Sequence, residues 1–143
     1  MPMQYTENST KQISRGTNVN AAAIPAARVV GFGVPSASVG DPIDTLSNRP
    51  KYKGITSHAI APNAVGDVYE EGIVPVESDG SGTIAAGDKL TASAVADATE
   101  GRVKTAAPGA GVNADIIGTA ETAATATAGA IVMCRIAIQR IQG

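Results

Sequence analysis

Ala130-Ile131-Val132-Met133-Cys134-Arg135-Ile136-Ala137-Ile138 is the most regular stretch of the chain, and it decides how the rest is read. It is rich in β-branched residues, and Val132, Cys134, Ile136 and Ile138 follow one another at every second position, the period of a strand and not of a helix. Alternation places Val132, Cys134, Ile136 and Ile138 on one face, with Met133, Arg135, Ala137 and Gln139 on the other. Cys134 is then expected as a buried small hydrophobe, the usual place of an unpaired cysteine. A reactive thiol is disfavoured because no histidine or second cysteine stands nearby.

Shorter runs of the same kind precede it. They are Val29-Val30-Gly31-Phe32, residues 54–60, Gly72-Ile73-Val74-Pro75-Val76, residues 88–92, Arg102-Val103-Lys104-Thr105 and residues 115–120. Gly, Asp, Asn, Ser and Pro separate them, and no wide apolar stripe at helical spacing appears. The expected fold is mainly β: a small antiparallel β-sandwich or barrel with an extended N-terminal arm. The alanine-rich segments 92–99 and 120–130 are expected as loops or strand borders packed with small side chains. Residues 1–23 are polar and without period, so they read as the arm, and residues 24–143 as the β-rich domain. The arm is not highly charged, which suits it to ordering against a strand edge of another chain.

Composition narrows the function. The 143 residues include no Trp, one Phe and three Tyr, and much of the apolar content is alanine. A buried Val, Ile or Leu contributes roughly 1.5–3 kcal/mol and alanine far less, so the core must be thin and built from Val and Ile. Burial against neighbouring chains is expected to supply part of the stability. A net charge of −2 without a basic stripe gives no reason to expect nucleic-acid binding. No apolar run approaches the roughly 20 residues that span a bilayer, and the N-terminal residues carry no secretory pattern. A lone cysteine fits synthesis in a reducing cytoplasm.

The chemical motifs are weak. Gly40-Asp41, Gly66-Asp67 and Gly87-Asp88 each stand alone and read as turns, because a calcium loop needs several oxygen ligands together. His58 is the only histidine, and its neighbours Thr56 and Ser57 cannot both reach it from one strand face. One His and one Cys cannot complete a tetrahedral zinc site. Asp79-Gly80-Ser81-Gly82 reads as a hairpin tip, Gly109-Ala110-Gly111 as a loop, and Glu70-Glu71 as a solvated charge patch. No catalytic residue, metal ligand or cofactor is expected.

Ala85-Ala86-Gly87-Asp88-Lys89-Leu90-Thr91-Ala92, Gly101-Arg102-Val103-Lys104-Thr105-Ala106, Ile116-Ile117-Gly118-Thr119-Ala120 and residues 128–136 together resemble the capsid decoration (cement) proteins of tailed bacteriophages. Residues 66–74 resemble that family's earlier turn and strand, and the likeness spans roughly residues 54–138. It implies a non-enzymatic protein, made in the host cytoplasm, that binds the outer surface of the virion head. There it would clamp neighbouring major capsid protein subunits against DNA pressure. It also implies self-association, as a homotrimer or alternatively a dimer, with no contact to nucleic acid or membrane. The arm would make the capsid contact, with Tyr5, Thr6, Lys11, Ile13 and Arg15 as candidate residues. Deleting residues 1–20 should then leave the domain folded and abolish binding. Alternatives are another phage structural role (tail tube, head–tail connector or head-fibre base) and a small β-sandwich binding module.

Overall fold

A computed structural model describes residues 11–33, 42–45, 52–93, 101–107, 109–111 and 113–142. Ten strands are arranged in two five-stranded sheets, and the described residues contain no helix. The first sheet is a closed barrel of β1 (Ile13–Asn18), β2 (Val29–Phe32), β3 (Pro42–Asp44), β4 (Tyr52–Thr56) and β5 (Val65–Tyr69), ordered β1-β3-β2-β4-β5. The second holds β6 (Ile73–Glu77), β7 (Lys89–Ala92), β8 (Val103–Thr105), β9 (Asn113–Ala120) and β10 (Ile131–Gln142), ordered β6-β10-β9-β7-β8. Its two edges come together at a parallel bridge between Ser78 and Val103, where the Asp79 N–H donates to the Val103 carbonyl at 2.9 Å.

The expected β class is found, as a closed five-stranded barrel with a second five-stranded sheet. Among the described residues every pair of strands in the ladders is antiparallel except β1 and β3, which run parallel with Thr17 beside Pro42 and Asn18 beside Ile43. The polar segment 13–18, read from sequence as part of the arm, is the strand that closes the first barrel, in register with β5 from Ile13–Tyr69 to Thr17–Val65. Inward space there is taken by Gly16 and the buried Asn18, not by large apolar residues, so no hydrophobic alternation marks the strand. Asn18 is fully buried and satisfied: its amide donates to the carbonyls of Ala22 and Ile60 at 3.0 and 2.9 Å, and its oxygen accepts from the Asn20 N–H at 2.8 Å. Removing residues 1–20 would therefore take out a barrel strand, which corrects the expectation that the domain stays folded without them.

The two sheets are built from the same unit. Ile24 and Ile60 exchange backbone hydrogen bonds at 2.9 and 2.8 Å, and Ile84 and Ala124 do so at 2.9 Å. The Ala27 N–H donates to Thr56 as the Gly87 N–H donates to Ala120, and Thr56 donates back to Arg28 as Ala120 does to Asp88. Left-handed backbone recurs at the same places, at Ala27 (φ 59°) and Gly87 (φ 95°), and at Asn63 (φ 62°) and Gly129 (φ 86°). The chain is thus an internal duplication with a shift of roughly 60 residues, which widens through the later strands.

Each unit fills its interior differently. The first encloses Ile24, Val30, Ile43, Ile60 and Val68. Gly16 and Gly66 stand beside them because a Cβ there would run into Ile43 and Ile60. At the equivalent positions the second unit has Val76 and Val132 facing the smaller Val103 and Ala124, so lost volume on one strand is returned on another. The largest fully buried side chains are Ile, Val and one Leu, in line with the core of Val and Ile expected from composition.

β10 departs from strict alternation. Val132, Cys134 and Ile136 are buried as expected, but Ile138 is 46 % exposed. A bulge between Ile136 and Gln139 shifts the register against β9 and turns Ile138 outward. Gly66-Asp67 lies inside β5 and is not a turn, whereas Gly87-Asp88 is one, with Asp88 accepting from the Ala85 N–H at 2.9 Å. Gly40-Asp41 lies outside the described residues. Asp79 to Gly82 is a bend in the β6–β7 connection and not a hairpin tip, because β6 pairs with β10. An Asx turn shapes it, the Asp79 carboxylate accepting from the Ser81 N–H at 2.8 Å.

Candidate interaction surface

Among the described residues no three His, Cys, Asp or Glu side chains gather as metal ligands. An open depression of ~290 Å³ beside β7 and β8 has Lys104 as its one ionisable group. A second, of ~360 Å³, is lined by Thr83, Ile84, Ala85, Ala123, Ala124 and Thr125, with none. Neither brings an acid and a base together. His58 is held at the surface: its Nδ1 lies 2.9 Å from the Ala59 carbonyl, and its Nε2 accepts the Asp67 N–H at 3.2 Å. With Nε2 accepting, the ring proton lies on Nδ1, and both ring nitrogens are engaged by backbone.

Cys134 is fully buried in the second unit, and burial, with a smaller contribution from Glu121, pushes its thiol up to about 12. The thiolate is the reactive form, so at pH 8 the folded protein should not react with Ellman's reagent over hours. In 6 M guanidinium chloride about one thiol per chain should react within minutes. Reaction of the native protein at the unfolded rate would mean that Cys134 is not in the core.

The surface that brings candidate residues together is the outer face of the β1–β5 ladder. Ile13 is 52 % exposed and Arg15 is exposed beside it on the same face. Tyr69 and Asp67 oppose them in register. Lys11 sits 5.7 Å over the Tyr69 ring. Val65, 58 % exposed, continues the row, and His58 approaches the Asp67 carboxylate at 4.0 Å. The face is a mixed strip: aliphatic at Ile13 and Val65, cationic at Lys11 and Arg15, anionic at Asp67. Ile13 and Arg15 are thus placed on β1, with Lys11 two residues before it, whereas Tyr5 and Thr6 lie outside the described residues. Val65 and Asp67 were missed from sequence because Gly66-Asp67 read as a turn.

A second surface is the joint between the units. Val29, Tyr52 and Ile55, on the outside of the first barrel, share one buried cluster with Val74, Val76, Leu90, Ile117 and Ile136 of the second sheet. The Tyr52 hydroxyl accepts the Ala92 N–H at 3.1 Å, the Val29 N–H donates to Gly101 at 2.7 Å, and the Glu77 N–H donates to Ala27 at 3.0 Å. Glu77 also pairs with Arg28 at 3.1 Å and Arg102 at 2.9 Å. Burial lowers the Arg28 guanidinium from its usual value, against the pull of Glu77 and together with the repulsion of Arg102. Glu70, expected in a solvated patch, instead accepts from the Ser14 hydroxyl at 2.8 Å and pairs with Lys53 at 3.4 Å.

The fold defines a two-unit, all-β protein with a closed barrel and no group of three metal-ligating side chains among the described residues. It is similar in structure to the N base of the head fiber gp8.5 of bacteriophage phi29, with a TM-score of 0.56 and 12 % sequence identity over 94 % of this chain and 100 % of that one. At this identity the likeness is one of fold. No protein-family model matches the chain, and no curated protein matches it by sequence.

Proposed function

We propose that the chain is a non-enzymatic structural protein of a tailed-phage virion that attaches to the outside of the head, in the manner of a head-fibre base. The observation that carries this is the shared fold with a phage head fiber base over nearly the whole of both chains. A rigid β scaffold displaying a mixed apolar and charged strip, and no built catalytic site among the described residues, suits a protein that works by adhesion. The partners on this reading are the major capsid protein and further copies of the chain, as a homotrimer.

A second reading, a decoration (cement) protein that clamps capsid subunits, is favoured by the strand and turn pattern of residues 85–106 and 116–136. The two readings share attachment to the head and differ in whether a fibre is carried. On either, the β1–β5 face is the contact, and an oligomer engaging several capsid subunits multiplies modest contacts. Replacing Ile13→Asp together with Arg15→Glu should lower occupancy on heads lacking the chain by about tenfold or more, with the melting temperature shifted only slightly because both positions are exposed. Co-sedimentation with such heads measures this. Unchanged occupancy of the folded double variant would remove the β1–β5 face from the account, and no binding by the unaltered protein would remove head attachment itself.

A further inference from the structure

The duplicated units do not use equivalent surfaces alike. Inside the chain, the outer flank of the first unit rests on a patch of the second that includes Val74, Ala92, Ile117 and Ile136. The repeated ladders give that patch a counterpart on the first unit. Ser14 faces Val68 as Val74 faces Cys134, and Phe32 faces Ile43 as Ala92 faces Val103. Lys53 precedes Gly54 as Ile117 precedes Gly118, and the Glu70 N–H bonds Gln12 as the Ile136 N–H bonds Gly72. The flank has its counterpart too: Lys89 faces Thr119 as Val29 faces Ile55, and Arg135 stands beside Thr119 as Tyr69 stands beside Ile55.

The chemistry of each surface matches that of its partner. Within the chain an apolar flank meets an apolar patch. The remaining flank is cationic: Lys89 and Arg135 are exposed, the first donating to Thr119 at 3.1 Å and the second paired with Glu121. The remaining patch offers what such a flank needs. It has the Glu70 carboxylate, about a third exposed, and the Phe32 ring, half exposed, with Lys53 packed 5.3 Å from that ring and opposite in sign to Glu121.

We infer that these remaining surfaces form an interface between copies of the chain: the Lys89–Thr119–Arg135 flank of one copy docks on the Phe32–Lys53–Glu70 patch of the next. The joint made once within each chain is then repeated between chains. The interface is heterologous, head to tail, and yields a closed ring where its rotation allows. An apolar joint forms with the fold, whereas a charged one suits contact between copies that fold before they meet. The inference rests on the internal repeat and not on head attachment, and no heads enter its test.

Sedimentation velocity on the full chain over a concentration series gives the result directly. The protein is expected to assemble beyond the monomer and to dissociate as salt is raised. Lys89→Glu, at an exposed position, should weaken assembly by about tenfold or more, and Glu70→Lys should do the same, while the two together restore most of the loss. Circular dichroism and melting of each variant confirm the fold, and Lys89→Glu decides should Glu70→Lys perturb Ser14 and Lys53. A protein that stays monomeric at concentrations on the order of 100 μM overturns the inference. So does an oligomer unaffected by Lys89→Glu, or one weakened by both changes and not rescued by the pair.

Discussion

Removing residues 1–18 is expected to unfold the first barrel, with a loss of more than ~5 kcal/mol, on the order of the whole stability of a small domain. The deletion takes away β1, which closes the sheet between β3 and β5. It opens the interior around Ile43 and Val68 and removes Asn18, whose amide ties the Ala22 and Ile60 carbonyls together. Removing residues 1–10 leaves β1 and its pairing with β5 whole, so the barrel should stay closed. Urea unfolding of both truncations measures the difference. A cooperative transition at the full-length midpoint after loss of residues 1–18 would show that the barrel does not depend on β1. The pair also separates two roles: head binding lost with residues 1–10 alone assigns adhesion to the extreme N-terminus, and binding kept assigns it to the β1–β5 face.

The second large effect lies at a crossing that both units share. An added Cβ at Gly118 would fall on the Arg135 carbonyl oxygen and 2.8 Å from the Cys134 sulfur. At Gly54 it would fall on the Tyr69 carbonyl oxygen and 2.8 Å from the Val68 Cγ1. In both cases the obstacle includes backbone of the neighbouring strand, which cannot swing away as a side chain can. Gly118→Ala and Gly54→Ala should therefore each cost ~3 kcal/mol or more. Gly82→Ala, where nothing lies within 4 Å, should stay within ~0.5 kcal/mol of the unaltered protein. Urea midpoints at constant slope report these values. A Gly118→Ala midpoint as high as that of Gly82→Ala contradicts the close approach of β9 and β10.

Strands whose inward positions carry large apolar residues were legible in the sequence. β2, β6, β7, β8, β9 and β10 all lie on runs of Val, Ile or Leu, and Cys134 sits where alternation placed it. β1 and β5 escaped because Gly16 and Gly66 occupy inward positions that Ile43 and Ile60 fill from across the barrel. With a glycine in place of the hydrophobe, the period of two is absent from the letters although present in space. The exposed β1–β5 face was half legible for the same reason: Lys11, Ile13 and Arg15 were named, but as part of an arm and not of a strand.

The duplication was hidden by the complementary filling of the two interiors. Gly16 answers to Val76, Ile60 to Ala124 and Lys53 to Ile117, so equivalent residues seldom look alike. What repeats is the hydrogen-bond pattern and the pair of left-handed turns. Ile24 with Ile84 and Gly54 with Gly118 are among the few shared letters, at points where the fold demands them. Surface chemistry diverged further, and that divergence separates an apolar joint inside the chain from charged surfaces left outside it.

The most direct measurement is cryo-electron microscopy of virions purified from the source of the chain, at a resolution that separates its two units. The account predicts the two β units at regular sites on the outer surface of the head, with the β1–β5 face against capsid subunits. Density confined to the tail or the portal, or virions from which the chain is absent, would contradict it.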